Sequence, residues 1–269
     1  MIGAKDDSCA PSSDVREALA FAERIATVCS HVLGEALDSV IVHGSLVLDD
    51  YTALSSDIDL LAIVQRSLRA AEVESLTRAL NGLAREAPSR VDLRLVTRAV
   101  AARPSAAPPM ELYVRCGGHK PAMIERRNRG EPDMAVELSV CRSHGRALRG
   151  AAADTVIGAV PERLVLTAGH RQLVCWQSLT EDTAYAGLMV LTACRIWRFS
   201  VTGTHSSKSA AGSWALGRDP SLAAVRAALR QRAGDPVRID PGEIARVLRA
   251  ARASVAARRG MAVPEERES

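Results

Sequence analysis

The chain has 269 residues, with 35 basic and 31 acidic side chains and a formal net charge of +4. A hydrophobic share of 47% and a charged share of 25% exclude the disordered and collagen-like classes, and the length suits one large domain or two modest ones. Only Lys5, Lys120 and Lys208 are lysines; the remaining basic residues are arginines interleaved with Asp and Glu, which excludes a nucleic-acid-binding patch.

Residues 1–12 read as a loose tail. From Ser13, Val15, Leu19, Ala22, Ile25, Cys29, Val32 and Leu33 recur at steps of three and four, the spacing of an amphipathic helix. The β-branched run Ser39-Val40-Ile41-Val42 predicts a buried strand closed by His43-Gly44-Ser45, and residues 58–64 predict a second. A helix is expected at about 69–86, with Val73, Leu76, Leu80 and Leu83 on one face. A third strand alternates with period two over residues 91–96.

Pro104, Pro108 and Pro109 mark a turn-rich stretch, and His119-Lys120-Pro121 marks another. A helix containing Val136, Leu138 and Val140 is expected to run to about Leu148, with Gly150 opening a linker. Beyond Pro161 the pattern is helical throughout, over about 162–178, 183–202, 207–217, 220–232 and 241–258. A tail from about 260 is expected to be disordered.

Six cysteines form no CxxC pair and no zinc-spaced cluster. Cys29, Cys175 and Cys194 fall on apolar helix faces, as free thiols that behave like small hydrophobes. Asp6, Asp7, Asp14 and Glu17 interrupt any signal-peptide-like run, and no stretch approaches 18 uncharged apolar residues. A cytoplasmic monomer with no membrane or nucleic-acid partner is expected.

The chemistry lies in Val42-His43-Gly44-Ser45 and Asp57-Ile58-Asp59. Residues i and i+2 of a strand share a face, so Asp57 and Asp59 aim two carboxylates at one point. The apolar neighbours bury that strand, and two buried carboxylates are costly unless a cation neutralises them. Mg²⁺ suits them, because it takes one or two carboxylates plus substrate phosphates. Gly44 and Ser45, at a strand end, offer close backbone approach and a hydroxyl to a phosphate. Asp92 supplies a third carboxylate if its strand lies beside that of Asp57 and Asp59, an arrangement suited to metal-assisted attack of a hydroxyl on a nucleotide phosphate.

Gly44-Ser45, Asp57-Ile58-Asp59 and Asp92 together resemble the signature of the DNA polymerase β-like nucleotidyltransferases. The run from Leu188 to Trp197, then Val201-Thr202-Gly203 and Ser207-Lys208-Ser209, is similar to the C-terminal helical domain of the streptomycin/spectinomycin (3'')(9)-adenylyltransferases. This resemblance implies an α+β fold: an N-terminal nucleotidyltransferase domain (a mixed sheet with helices) over 1–157, and an all-helical C-terminal bundle over 158–269. It implies transfer of AMP from ATP, with Mg²⁺, to a hydroxyl of a cationic aminoglycoside or aminocyclitol antibiotic, with release of pyrophosphate and resistance to the drug.

On the family's pattern, Asp57 and Asp59 match its metal ligands and Asp92 its catalytic base, a glutamate elsewhere. Arg195 and Lys208 match cations that reach the ATP phosphates, beside Gly44 and Ser45. Trp176 and Glu181, with Asp182 beside it, match residues that hold streptomycin. A departure follows Glu111-Leu112, where the family's drug-site tryptophan is replaced by glycine, leaving the choice of drug open. Two other readings compete: a nucleotidyltransferase with a protein or RNA acceptor, and a non-catalytic nucleotide-binding antitoxin or regulatory module. Intact Asp57, Asp59 and Asp92 weigh against a degenerate site.

Overall fold

The computed structural model describes residues 12–117, 120–126, 130–181 and 183–261. Helix α1 (Ser13–Leu33) opens on Ser12, whose hydroxyl accepts the amide of Val15, and stops at Gly34, where φ is 50°. Its three-four periodicity buries Ala18, Phe21, Ile25 and Cys29. Strand β1 (Leu37–His43) follows, then β2 (Ile58–Val64), α2 (Ala70–Leu83), β3 (Val91–Thr97) and the short α3 (Arg98–Ala102).

Two strands then lie in the stretch expected to be turns: β4 (Leu112–Gly117) and β5 (Lys120–Arg126), paired antiparallel. Strand β5 lies at the sheet edge, where a proline is tolerated, so Pro121 does not exclude a strand. Helix α4 (Pro132–His144) ends earlier than expected. At Gly145 a Cβ would collide with the Cys141 carbonyl and the Ile41 side chain, and the chain turns there into β6 (Arg146–Gly150), which pairs with β1. Residues 146–150 are thus an edge strand, where the sequence suggested a helix end and a linker. The one-turn α5 (Ala153–Val156) completes this half.

The sheet order is β5-β4-β3-β2-β1-β6, with β2 and β3 parallel and all other neighbours antiparallel. Strand alternation sorts its residues into two cores. Val40, Val42, Leu60, Ala62, Leu93 and Leu95 pack against α1 and α2. Ile41, Leu61, Ile63 and Val96 face the other way, onto Met134, Leu138 and Cys141 of α4.

The second half is helical: α6 (Glu162–Trp176), α7 (Ala186–Thr202), α8 (Lys208–Arg218), α9 (Ala223–Arg232) and α10 (Pro241–Met261). Central α7 buries Met189, Val190, Ala193 and Cys194 against its neighbours, with Gly203 (φ 70°) ending it as a left-handed cap. Cys29 and Cys194 are buried thiols whose pKa burial pushes up to about 12, as the apolar reading expects. Cys175 departs from that reading: it is exposed, because the last turn of α6 turns this face away from the bundle. Among the described residues, no helix is long and apolar enough to cross a membrane.

Candidate active site

One cross-strand register builds the acidic floor. His43 pairs with Asp59, Asp59 with Asp92, and Asp92 with Arg115, a row across β1, β2, β3 and β4. Because the period is two, Asp57 and Arg94 lie on the same face as this row. Ile58, Leu60, Val91 and Leu93 point the other way into the core. The three carboxylates therefore share one face of the sheet, but Asp57 and Asp59 line the cleft whereas Asp92, turned to Tyr113 and Arg115, is not among its lining residues.

Their environments differ. Asp57 accepts a 2.7 Å bond from Arg90 Nη2. Asp92 accepts from Tyr113 Oη at 2.7 Å and from Arg115 Nε and Nη2 at 2.9 and 3.0 Å. Burial works to raise the Asp92 pKa, but the bonds from Arg115 and Tyr113 outweigh it and hold the carboxyl below its ordinary range. Asp59 has no such fork. Burial first, then the nearby charges of Glu137, Asp92 and Asp57, push its pKa well up. Gly44 (φ 67°) leaves room for this carboxylate, since a Cβ there would collide with Asp59 Oδ2. The glycine thus serves Asp59 as well as any phosphate.

Helix α4 lays Glu137 over the row. Its carboxylate lies 3.3 Å from His43 Nδ1 and 3.7 Å from Arg94 Nη1. Burial lowers the His43 pKa, so the ring is neutral near pH 7 and the contact is between a dipole and a charge. Neither Glu137 nor Asp133 was picked out in the sequence, yet both line the cleft. Their four-residue spacing on one helix face was the available signal. Arg94, two residues beyond Asp92, was legible by the same alternation; Arg115 was not, because β4 went unrecognised.

Across the cleft, whose volume is about 660 Å³, stand Arg195 of α7, Lys208 at the start of α8 and Arg232 at the end of α9. Burial lowers the Lys208 pKa, and the cations Arg195 and Arg232 lower it further, while Asp59 and Asp57 oppose them. Gly44, Ser45, Asp57, Asp59, Arg195, Lys208 and Trp176 line this one cleft. Trp176 also packs against the helical core. Glu181 is exposed and is not among the residues lining the cleft, and Asp182 lies outside the described residues.

As a candidate metal site, the donor set is small. Among the described residues no cluster of three or more His, Cys, Asp or Glu side chains is placed to hold a metal ion. The paired carboxylates of Asp57 and Asp59, the latter with its pKa pushed up by burial and by neighbouring carboxylates, fit an ion that takes its remaining ligands from water and phosphate.

Fold and site together define a two-part chain in which an acidic mixed sheet faces a cationic helical bundle. Residues 155–235 match the family model for the aminoglycoside adenylyltransferase, C-terminal domain. An aminoglycoside (3'')(9) adenylyltransferase of Klebsiella pneumoniae is 36% identical over 89 residues, 33% of this chain and 34% of the relative. One from Rhizobium radiobacter is 33% identical over 108 residues, 40% of this chain and 38% of the relative. The matched stretches thus span little more than a third of these relatives' lengths. The fold is shared with the spectinomycin adenyltransferase AAD(9) from Enterococcus faecialis, solved with ATP and spectinomycin. Here the TM-score is 0.65 at 16% identity, over 90% of this chain and 99% of that one.

Proposed function

We propose that this protein transfers AMP from ATP to a hydroxyl of an aminoglycoside or aminocyclitol antibiotic, releasing pyrophosphate and conferring resistance. The observation that carries the reading is the single cleft in which Asp57 and Asp59 face Arg195 and Lys208. In this reading ATP lies between the two halves. Arg195 and Lys208 neutralise charge developing on the α-phosphate and the departing pyrophosphate, while Ser45 donates its hydroxyl to a phosphate oxygen. Asp57 and Asp59 hold Mg²⁺, which when bound supplies Lewis-acid polarisation of the phosphoryl group.

Asp92 accepts the proton of the attacking hydroxyl. Its bonds from Tyr113 and Arg115 keep it ionised and aimed, at the expense of basicity. Trp176 offers a ring face to the drug, and Glu181 and Asp182 attract its positive charge. A second reading assigns the base to Glu137, favoured by the fact that Asp92 is already engaged by three donors whereas the contacts of Glu137 with His43 and Arg94 are longer, at 3.3 and 3.7 Å.

Three variants test these roles. Asp57→Asn and Asp92→Asn should each abolish adenylylation while leaving the circular dichroism spectrum unchanged, and Glu137→Gln should keep its turnover. Near-normal turnover in both Asp57→Asn and Asp92→Asn would sink the assignment. If Asp92→Asn stays active and Glu137→Gln does not, the base moves to α4.

A further inference from the structure

Asp50 occupies a junction that the chemistry above leaves without a role. Its amide donates to the Ser45 carbonyl at 3.1 Å, fastening it to the Gly44-Ser45 turn. Its Oδ2 accepts the amide of Ser209 at 3.2 Å, in the first turn of α8 and next to Lys208. The Arg232 guanidinium closes the junction from the end of α9. It lies 3.1 Å from Asp50 Oδ2, donates to the Asp50 carbonyl, and reaches the Ser55 and Ser56 hydroxyls at 3.3 and 3.4 Å. Both charged side chains are only 9% exposed.

One arginine of the helical half therefore grips the loop that leads directly into Asp57, and the carboxylate it grips also holds the start of α8. Breaking a buried ion pair leaves an uncompensated charge, so the two halves are held at this point in one arrangement. Lysine cannot replace the arginine, because its point charge lacks the planar fork that reaches a carbonyl, a carboxylate and two hydroxyls together.

We propose that Asp50 and Arg232 form an interdomain latch whose function is to position Lys208 over the Gly44-Ser45 turn, so that neither half binds nucleotide phosphate well without the other. Both are positioning residues, and the inference rests on the nucleotidyltransferase reading for the identity of the ligand. The alternative is that Arg232, which lines the same cleft, touches phosphate itself.

The test is a double-mutant cycle read by calorimetric titration with a non-hydrolysable ATP analogue, with hydrogen exchange of the segment containing Ser209 as a nucleotide-free readout. Asp50→Ala and Arg232→Lys should each weaken binding about tenfold, and the double variant no more than either. Asp50→Asn, which keeps an acceptor for Ser209, should be the milder variant and serves if Asp50→Ala does not fold. In a Lys208→Gln background the same substitutions should cost less than about twofold, because the residue they position is gone. Exchange at Ser209 should quicken in Asp50→Ala and Arg232→Lys without nucleotide.

Two results overturn the latch: unchanged exchange in both variants, or a loss from Arg232→Lys alone that persists in the Lys208→Gln background and marks direct phosphate contact. If the wild type binds no ATP analogue while exchange responds as expected, the latch stands as a domain coupling and the nucleotide reading fails instead.

Discussion

The two halves of the cleft hold their charges by different means. On the sheet side, His43, Asp59, Asp92 and Arg115 are placed by backbone register, and each is fixed once four strands pair. On the helical side, Arg195, Lys208 and Arg232 sit on three separate helices and meet the carboxylates only because the halves are joined. The sheet carries its electrostatic cost within its own fold, whereas the burial and mutual repulsion of Arg195 and Lys208 arise where the helices meet the cleft. Substitutions in the sheet row should therefore move stability and turnover together, whereas substitution of Lys208 should move turnover almost alone.

The largest effect is expected at Asp59. Its raised pKa means that the folded state holds a proton the unfolded chain releases, so stability falls as pH rises through its folded pKa. Asp59→Asn should cut turnover by about 10²-fold or more, yet raise the melting temperature in EDTA buffer and flatten that pH dependence. A lower melting temperature would show the carboxylate to be neutralised from within. Next comes Lys208→Gln, with a loss of about 10²-fold in kcat/KM and no drop in melting temperature, since it relieves repulsion from Arg195 and Arg232. A large destabilisation there would erase the contrast between the halves.

His205 lies between the halves: it stacks on Phe199 with ring centroids 4.7 Å apart and meets Ser139 Oγ at 2.7 Å. Burial lowers its pKa to about 4, below the ordinary value of 6.5, so the unfolded chain binds the extra proton first. Stability should fall as pH drops from 6.5 towards 4, by up to about 3 kcal/mol. His205→Gln should weaken that dependence in thermal melts across this range, and an unaltered slope would locate it elsewhere. Arg115→Ala leaves Asp92 the hydrogen bond from Tyr113 and the nearby charge of Arg94, and should cost about 1–2 kcal/mol in denaturant unfolding, with turnover falling too. The smallest change is reserved for a surface control. Glu86→Gln breaks an exposed pair with Arg24 and should alter stability by no more than about 0.5 kcal/mol.

What was legible in the sequence follows the same division. Asp57, Asp59 and Asp92 could be placed because strand alternation is a local rule, and the neighbouring of β2 and β3 needs only a helical crossover between them. The helices of the second half were legible from periodicity, with ends displaced by a few residues. Strands β4, β5 and β6 were not, because Leu112, Tyr113 and Val114 are buried without alternating, β5 carries Pro121, and Arg146–Gly150 is short and carries two arginines. With β4 went Tyr113 and Arg115, the partners that decide the charge state of Asp92. The Asp50–Arg232 contact spans 182 residues of sequence, a separation at which no local pattern carries information.

The central claim is that the acidic row and the cationic helix ends act together on a nucleotide and a cationic drug. Its most direct test is pyrophosphate release from ATP by the wild-type protein, with and without streptomycin or spectinomycin, with the product identified by mass spectrometry. The account predicts release that depends on at least one of the two drugs and an adenylylated product. ATP consumption that ignores both, or none at all, would contradict it.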